Sequence, residues 1–332
     1  MALQSRRNFI ARQGALAACA ALAPALLRAQ PVWPTKPVHL IATFAPGGVI
    51  DSTSRLIGEY LAPLLGQPVI VENRPGSAGN IGAAYVAKSE PDGQTMVVVL
   101  EGTIVINPHV YASMPLDPLK DLVPAGKIGN STIVFVANPA LGVKTLQEAV
   151  ALSRKTPGGL AYGTAGAMTI THIAAELMTQ QTGANFLHVP YKGGGPAVAD
   201  VLAGHVPLAF VSATSVEQHI RAGRLIGLGV PSGKRSATLP DVPTFIESGL
   251  TGFEVTSWAG IFAPAGTPAA VLGKFNAALN TVLAKPEVVS KLATAGIAAT
   301  PISLAQFTAD IQRELAWYGP LLKKAGIKAS DS

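Results

Sequence analysis

The chain has 332 residues, of which 48% are hydrophobic, 6% aromatic and 13% charged. The high hydrophobic share excludes a disordered chain, and the 34 glycines and 26 prolines show no three-residue period, which excludes a collagen-like one. The formal charge is +6, but residues 1–29 hold four arginines and no acid, so the remainder carries only +2 (21 basic against 19 acidic residues). No basic stripe remains, and nucleic acid is excluded as a partner.

The first predicted element is a secretory signal peptide over residues 1–29. A basic stretch with Arg6 and Arg7 precedes the uncharged run Gln13–Leu27, and Ala29 supplies a small residue for cleavage. The run has 15 residues and contains Pro24, whereas about 20 residues are needed to span a bilayer. We therefore expect cleavage after Ala29 and a mature protein in the periplasm.

Two features of this segment leave alternatives open. Ser5-Arg6-Arg7-Asn8-Phe9-Ile10 resembles the twin-arginine export consensus, which we favour, and an ordinary Sec signal is the alternative. Leu16-Ala17-Ala18-Cys19 resembles a lipobox, but apolar residues continue beyond Cys19, which disfavours lipidation. Cys19 is the only cysteine, so the rest of the chain has no disulfide and no cysteine-based metal site.

Alternating strands and helices are predicted for the mature chain. Strands are expected over 38–44, 69–71 and 96–100, and helices over 52–64 and 81–88. This alternation favours parallel sheets with right-handed crossovers, hence an α/β fold.

The same rhythm restarts after Pro139. The predicted order is helix 145–155, strand 160–163, helix 169–181, strand 186–189, helix 196–203, strand 208–211, helix 215–221 and strand 225–230. Three helices are predicted after this, over 268–284, 286–295 and 303–325. Two apolar stretches, 128–136 and 254–262, are candidates for strands by which the chain crosses to a second domain and returns.

The sequence carries no enzyme signature that we recognise. Its six histidines form no H-E-x-x-H motif, and it contains no G-x-S-x-G elbow, Ser-x-x-Lys pair or Walker A motif. The glycines of Gly76-Ser77-Ala78-Gly79-Asn80-Ile81-Gly82 are three apart, which departs from the dinucleotide fingerprint. We therefore predict no catalysis, no cofactor and no metal site.

A turn of small residues between a strand and a helix recurs four times. The four copies lie at Phe44–Asp51, Arg74–Asn80, Tyr162–Thr169 and Pro190–Pro196. The first N–H groups of a helix have no internal partner and form a positive end, and glycine lets a ligand approach them. Such ends bind anions, and in open α/β sheets ligands lie at the carboxyl ends of strands. The alternative is that these turns only connect βα units.

Two charged residues of these turns have two interpretations each. Asp51 is either an N-terminal partner of its helix or the residue that orders the loop around a ligand. Lys192 is either a solvated loop charge or a source of the field that attracts an anion.

In this order, the four turns resemble those of the Bug-type (Bordetella uptake gene) solute-binding receptors of the tripartite tricarboxylate transporter family. Matching segments cover nearly the whole mature chain: Trp33–Val38, Phe44–Asp51, Glu72–Gly76, Pro91–Gly93, Tyr162–Thr164 with His172, Val189–Gly193, Arg235 with Leu239–Thr244, Trp258–Gly260 and Ala263–Pro268.

The resemblance implies a two-lobed type II periplasmic binding fold, or Venus flytrap, in which each lobe is a mostly parallel sheet flanked by helices. The first lobe would comprise residues 30–130 and 255–332, and the second residues 131–254. The lobes would close on a small organic carboxylate, which a monomeric receptor would deliver to the membrane permease of a tripartite transporter. A ligand sensor for a signalling partner, or an exported α/β hydrolase, are the alternatives.

The resemblance also implies the ligand-binding residues. The predicted set is Phe44, Pro46, Gly47, Gly48, Val49, Asp51, Ser77, Ala78, Thr103, Thr164, Ala165, Gly166, Met168, Thr169, Lys192 and Ser212. The chain departs from the family at two places. It has Ser212 where members often carry an acid, which disfavours an amino-acid ligand, and Ala167-Met168 where small polar residues are common. Because methionine offers adaptable apolar surface, both changes favour a less polar carboxylate, aromatic or short aliphatic.

Overall fold

The computed structural model describes residues 33–191 and 193–326, and it contains two β-sheets. The first sheet has six strands in the order β11-β4-β10-β3-β1-β2. Their bounds are β1 Val38–Ala42, β2 Val69–Asn73, β3 Thr95–Leu100, β4 Leu122–Ser131, β10 Ser257–Pro264 and β11 Ala298–Ala299. The second sheet has the order β7-β6-β8-β5-β9. Its strands are β5 Ile133–Ala137, β6 Leu160–Thr164, β7 Phe186–Pro190, β8 Leu208–Ser212 and β9 Ile226–Gly229.

Helices connect these strands. They are α1 Val49–Leu65, α2 Asn80–Ala87, α3 Asn107–Val110, α4 Pro118–Asp121, α5 Leu146–Lys155, α6 Ile170–Thr182, α7 Gly194–Ala203, α8 Ala213–Arg221, α9 Ala269–Leu283, α10 Pro286–Thr294 and α11 Leu304–Ala325. A π-helical turn, Gly102–Ile106, follows β3. Helix α1 shows why they form: Ile50, Ile57, Leu61 and Leu65 are buried along one face, at the spacing of a helix packed on a sheet.

Each sheet is mixed rather than mostly parallel as expected, because the strands at the crossings run antiparallel to their neighbours. Strand β1 pairs in parallel with β2 and β3, and β6 pairs in parallel with β7 and β8. Strands β10 and β5 run antiparallel to the strands beside them. The parallel sets agree with the predicted βα alternation, and the antiparallel strands lie where the chain passes between the sheets.

The chain passes from the first sheet to the second between Ser131 and Ile133, and it returns before Ser257. The two predicted crossing stretches, 128–136 and 254–262, include these points. A large apolar cluster contains residues of both sheets, among them Val99, Phe135, Tyr162 and Trp258, so the passage is packed on a shared core. No helix within residues 33–191 and 193–326 combines the length and apolar character needed to cross a membrane.

Candidate functional site

The four predicted turns lie directly after β1, β2, β6 and β7, at the carboxyl ends of parallel strands. This position follows from the βα connection, because a chain that leaves a parallel strand enters its helix at that edge of the sheet. The turns form two groups, one on each sheet. Among residues 33–191 and 193–326 no hydrogen bond or ion pair joins the group on the first sheet to the group on the second.

Asp51 organises the turn after β1. Its Oδ2 accepts the Gly47 N–H at 2.9 Å, and its Oδ1 accepts Arg55 Nε at 3.0 Å and Asn73 Nδ2 at 2.9 Å. The bond from Gly47, together with those from Arg55 and Asn73, lowers the pKa of the Asp51 carboxyl from its usual value. Asn73 also donates to the Phe44 carbonyl at 3.1 Å, so one buried carboxylate fixes both ends of this turn.

The backbone of this turn leaves helix α1 open at its start. Gly47 has a φ of +80°, which favours glycine, and Gly48 is the extended N-cap with a φ of −76°. The N–H groups of the first turn of a helix have no intrahelical partner. No side chain caps this helix, so these groups are open. Beside them, the Val49 side chain is 49% exposed.

The turn after β2 is held in an uncommon conformation. Ser77 and Ala78 have φ values of +46° and +49°, which residues with side chains rarely adopt. The Ala78 carbonyl accepts Thr103 Oγ1 at 2.9 Å and Asn107 Nδ2 at 3.2 Å. Thr103 is 1% exposed, so its hydroxyl supports this turn from beneath.

Thr164 is a buried support of the turn after β6. Its hydroxyl lies 2.7 Å from His188 Nε2, 3.1 Å from the Gly166 carbonyl oxygen and 3.2 Å from the Gly166 nitrogen. The residue is 0% exposed. Thr169 donates its hydroxyl to the same Gly166 carbonyl at 2.7 Å and is the N-cap of α6. The cap side chain accepts no hydrogen bond from the first-turn N–H groups of α6, which are therefore open as in α1.

Met168 has a φ of +60° in this turn. Its N–H donates at 3.1 Å to Nδ1 of His172, which lies in the first turn of α6. The His172 ring stacks on the His188 ring, with centroids 3.9 Å apart and an interplanar angle of 14°. Burial lowers the pKa of His172, and burial with the stacked His172 ring lowers the pKa of His188 to about 4.

The comparisons with known proteins fit this geometry. A model of the tripartite tricarboxylate transporter family receptor matches residues 53–327. The chain belongs to this receptor family. It is 35% identical to Protein BugT of Bordetella pertussis over 301 residues, which cover 89% of this chain and 91% of BugT.

Solved structures show the same fold for the receptor. The periplasmic binding protein BugD is 31% identical, with a TM-score of 0.74 over 90% of this chain and 100% of BugD. R. palustris Rpa4515 with adipate is also 31% identical, with a TM-score of 0.77 over 89% of this chain and 99% of that one. MatC of Rhodopseudomonas palustris with bound malate is 28% identical, with a TM-score of 0.73 over 87% of this chain and 100% of MatC. The fold is therefore the expected two-lobed α/β fold of periplasmic binding proteins.

Two predicted residues, Lys192 and Ser212, are considered separately. Lys192 lies outside the described residues. The hydroxyl groups of Ser212 and Thr214 are hydrogen-bonded at 2.9 Å. Ser212 Oγ also faces Gly296, which precedes β11 of the first sheet. Thr214 and Gly296 both line a cavity of about 570 Å³ beside the crossing strands, which the turns at 44–51 and 164–169 do not line.

Besides Thr103 and Thr164, further residues bind the turns from the protein interior and are not among the predicted site residues. Asn73 and His172 appeared only as matches to the family, and Asn107 and His188 did not appear as site residues. Each of them acts across a long sequence separation or through a side chain without a local motif, so spacing gives no signal. The histidine pair is an example, since 16 residues separate two rings that stack.

Proposed function

We propose that this receptor captures a small organic carboxylate between the turn at Phe44–Asp51 and the turn at Thr164–Thr169, and delivers it to the membrane subunits of a tripartite transporter. The observation that carries the proposal is the pair of open helix starts, at α1 and α6, each placed after a parallel strand of a different sheet. Open first turns and the helix dipole favour an anion without any charged side chain.

The carboxylate class is supported by two neighbours of this fold. Rpa4515 was solved with adipate and MatC with malate. In this chain the exposed Val49 side chain and the half-buried Met168 stand beside the two helix starts. Their apolar surface favours a carboxylate with an apolar body over an amino acid.

The predicted residues divide into two roles in this proposal. Backbone groups of Gly48, Val49, Ala165 and Thr169 would meet the ligand, with Pro46 and Met168 shaping the walls. Thr103 and Thr164 hold the turns from below, because their hydroxyls are occupied and the residues are buried.

We further propose the domain boundaries and the location of the receptor. Residues 30–130 and 255–332 would form one lobe and residues 131–254 the other, in accord with the membership of the two sheets. Residues 1–29 would direct export to the periplasm and be removed. The receptor would bind its ligand as a monomer without reaction, as expected for a family of binding proteins.

A thermal-shift screen tests the ligand class. A ligand that binds only the folded protein raises its stability by RT ln(1 + [L]/Kd), so millimolar adipate, malate and benzoate are compared with matched amides and amino acids. We expect one or more carboxylates to raise the melting temperature and their amides to leave it unchanged. Stabilisation by amino acids or amides alone would contradict the proposal.

A sensor for a signalling partner is the second candidate function, because it would use the same closed lobes. A pull-down from membrane extracts separates the two: recovery of permease subunits supports delivery, and recovery of a sensor protein supports signalling.

A further inference from the structure

Two stacked imidazoles lie beneath the turn after β6 and hold it at both ends. His172 Nδ1 accepts the Met168 N–H at 3.1 Å, near the end of the turn. His188 Nε2 lies 2.7 Å from Thr164 Oγ1, at its beginning. The two rings contact each other face to face at 3.9 Å. The shape of the turn is therefore tied to the state of this pair.

The bond to Met168 defines the protonation of His172. An imidazole nitrogen accepts a hydrogen bond only when it carries no proton, so the His172 ring is neutral with its proton on Nε2. That nitrogen faces Glu176 Oε1 at 3.7 Å, and the same oxygen accepts the Tyr162 hydroxyl at 2.8 Å. Tyr162, Glu176 and His188 thus fix the orientation of the ring.

Met168 needs such a partner because of its backbone. A φ of +60° places a residue with a long side chain in the left-handed region, where only glycine is free of strain. Non-glycine residues keep this conformation only where their surroundings impose it. The bond from its N–H to His172 is the polar contact that Met168 makes there.

The geometry points to His172 as a positioning residue of the carboxylate site, whose neutral ring accepts the Met168 N–H and thereby fixes the turn against which the ligand rests. This role rests on the proposed function only for its effect on affinity; the effect on the turn does not require a ligand. His172 itself lies behind the turn, with 15% of its side chain exposed.

Protonation of His172 would break this contact. A proton on Nδ1 converts the acceptor into a donor that faces the Met168 N–H, and the bond is lost. The titratable groups that face the ring are His188 on β7, Tyr162 on β6 and Glu176 on its own helix. Strand β8, which packs against α6, has no charged residue. Lys324 of α11 lines a cavity with Gln180 and Gln181, which lie farther along α6 than His172. Burial opposes the proton on His172, so affinity falls only on the acid side of neutrality.

Two variants of the full mature chain distinguish the effect of the hydrogen-bond acceptor of His172 from the effect of its side-chain volume. His172→Asn keeps an acceptor oxygen near the place of Nδ1 but cannot be protonated, and His172→Leu keeps apolar bulk without an acceptor. The first readout is hydrogen exchange of the Met168 amide, followed by NMR without ligand at pH 7.5. We expect exchange about tenfold faster in His172→Leu, as for the loss of one hydrogen bond, and near-native exchange in His172→Asn. Native exchange in His172→Leu would overturn the assignment.

The second readout is calorimetric titration with adipate and with malate at pH 7.5 and 5.5. We expect His172→Leu to bind about tenfold more weakly than the native protein at pH 7.5, and His172→Asn to bind within about threefold. Protonation of the ligand's own carboxylate weakens binding to the native protein and to both variants alike. Only the additional loss of affinity that the native protein shows at pH 5.5 is therefore attributed to His172. Equal acid loss in His172→Asn would show that protonation of His172 does not weaken binding in this range, and native affinity of His172→Leu at pH 7.5 would overturn its role in binding.

The two measurements distinguish failure of the proposed ligand class from failure of the positioning role of His172. If neither acid binds the native protein, the proposed ligand class fails, and amide exchange still decides the positioning role. If His172→Leu does not fold by circular dichroism, His172→Gln replaces it, because its amide lies beyond the place of Nδ1.

Discussion

The carboxylate of Asp51 lies 2.9 Å from the backbone nitrogen of Gly47, four residues earlier, and closes the turn that leads into α1. Both interpretations of Asp51 from the sequence therefore describe parts of one arrangement. The residue sits in the first turn of the helix, and its bonds to Gly47 and Asn73 order the loop.

Removal of this carboxylate should weaken ligand binding more than folding. Asp51→Ala leaves the Gly47 N–H without its partner and removes one of the hydrogen bonds of Asn73, so we expect about tenfold weaker carboxylate binding, the effect of about 1–2 kcal/mol. Calorimetric titration measures the affinity and urea unfolding the stability. Glu59→Gln, on the exposed side of the same helix, is the matched control and should leave affinity unchanged. Equal affinity of Asp51→Ala and Glu59→Gln would contradict this role.

Two glycines with similar backbone angles allow the effect of backbone strain on stability to be distinguished from an effect on ligand binding. Gly47 and Gly142 have φ values of +80° and +77°, and a Cβ added at either would meet nothing within 4 Å. Alanine at each position should therefore cost about 1 kcal/mol of unfolding free energy. Only Gly47→Ala should also weaken carboxylate binding, because Gly142 lies far along the chain beside α5. Unfolding and titration of both variants check this, and equal affinity of the two would argue against the turn as a ligand contact.

Gly48→Val tests the approach of the ligand to the open helix start. The extended φ of Gly48 suits any residue, but a Cβ would lie 3.2 Å from the Ala45 carbonyl oxygen, so the turn must shift slightly. We expect loss of measurable carboxylate binding in a protein that circular dichroism shows to be folded. Lys192→Met should cost less and act mainly on the association rate, as expected for a steering charge. Native affinity in folded Gly48→Val, with loss in Lys192→Met, would indicate a lysine ion pair instead.

Thr164→Val should act on the turn rather than on the ligand directly. The substitution keeps volume but removes the hydroxyl that contacts Gly166 and His188. Since the site is buried, these partners lose a hydrogen bond without gaining water, and we expect a loss of about 1–3 kcal/mol in unfolding free energy together with weaker binding. Thr164→Ser retains the hydroxyl and should restore most of both. A loss of affinity with unchanged stability would show that the hydroxyl contacts the ligand.

The order of strands, helices and turns could be predicted from the sequence because each signal is local. The strand at Val38–Ala42 and the helix after it follow from apolar runs, helical spacing and glycine turns. Strand β4 shows the limit: it begins at Leu122, before the predicted apolar stretch, because Pro124 and Lys127 interrupt the pattern. Lys127 is buried there, and its charge lowers the pKa of Glu314 of α11, an interaction that only the folded chain creates.

The candidate site likewise has some features that the sequence predicts and others that it does not. Its turns were predictable, since glycine and small residues mark them. The inward direction of the Thr164 hydroxyl and the left-handed backbone of Met168 were not, because they depend on His188 and His172, which the fold brings in from another strand and the next helical turn.

Export provides a test outside the described residues. If the segment with Arg6 and Arg7 is a twin-arginine signal, changing both to lysine should leave precursor in the cytoplasm. The native protein should be recovered from the periplasm with Gln30 as its first residue, as shown by N-terminal sequencing. Unchanged export of the double variant would assign the segment to the Sec route.

Two buried carboxyl groups at the return crossing should make stability depend on pH. Glu101 Oε2 accepts Ser257 Oγ and the Trp258 N–H, both at 3.0 Å, and Glu314 accepts Trp258 Nε1 at 2.8 Å. Burial raises the pKa of each carboxyl to about 7. In the unfolded chain both ionise near their ordinary value of about 4.3, so between that pH and pH 7 the folded state binds more protons.

The sign of the effect follows from this difference. Stability falls as pH rises wherever the folded state binds more protons, so these two groups should lower the unfolding free energy progressively from about pH 4.5 to about pH 7. Glutamine imitates the protonated acid and can still offer an oxygen to Trp258. We therefore expect the double variant Glu101→Gln with Glu314→Gln to match the native protein near pH 4 and to exceed its stability at pH 8. Urea unfolding at several pH values measures this, with Glu287→Gln at the acidic first turn of α10 as the control. A native slope retained in the double variant would show that other groups carry the dependence.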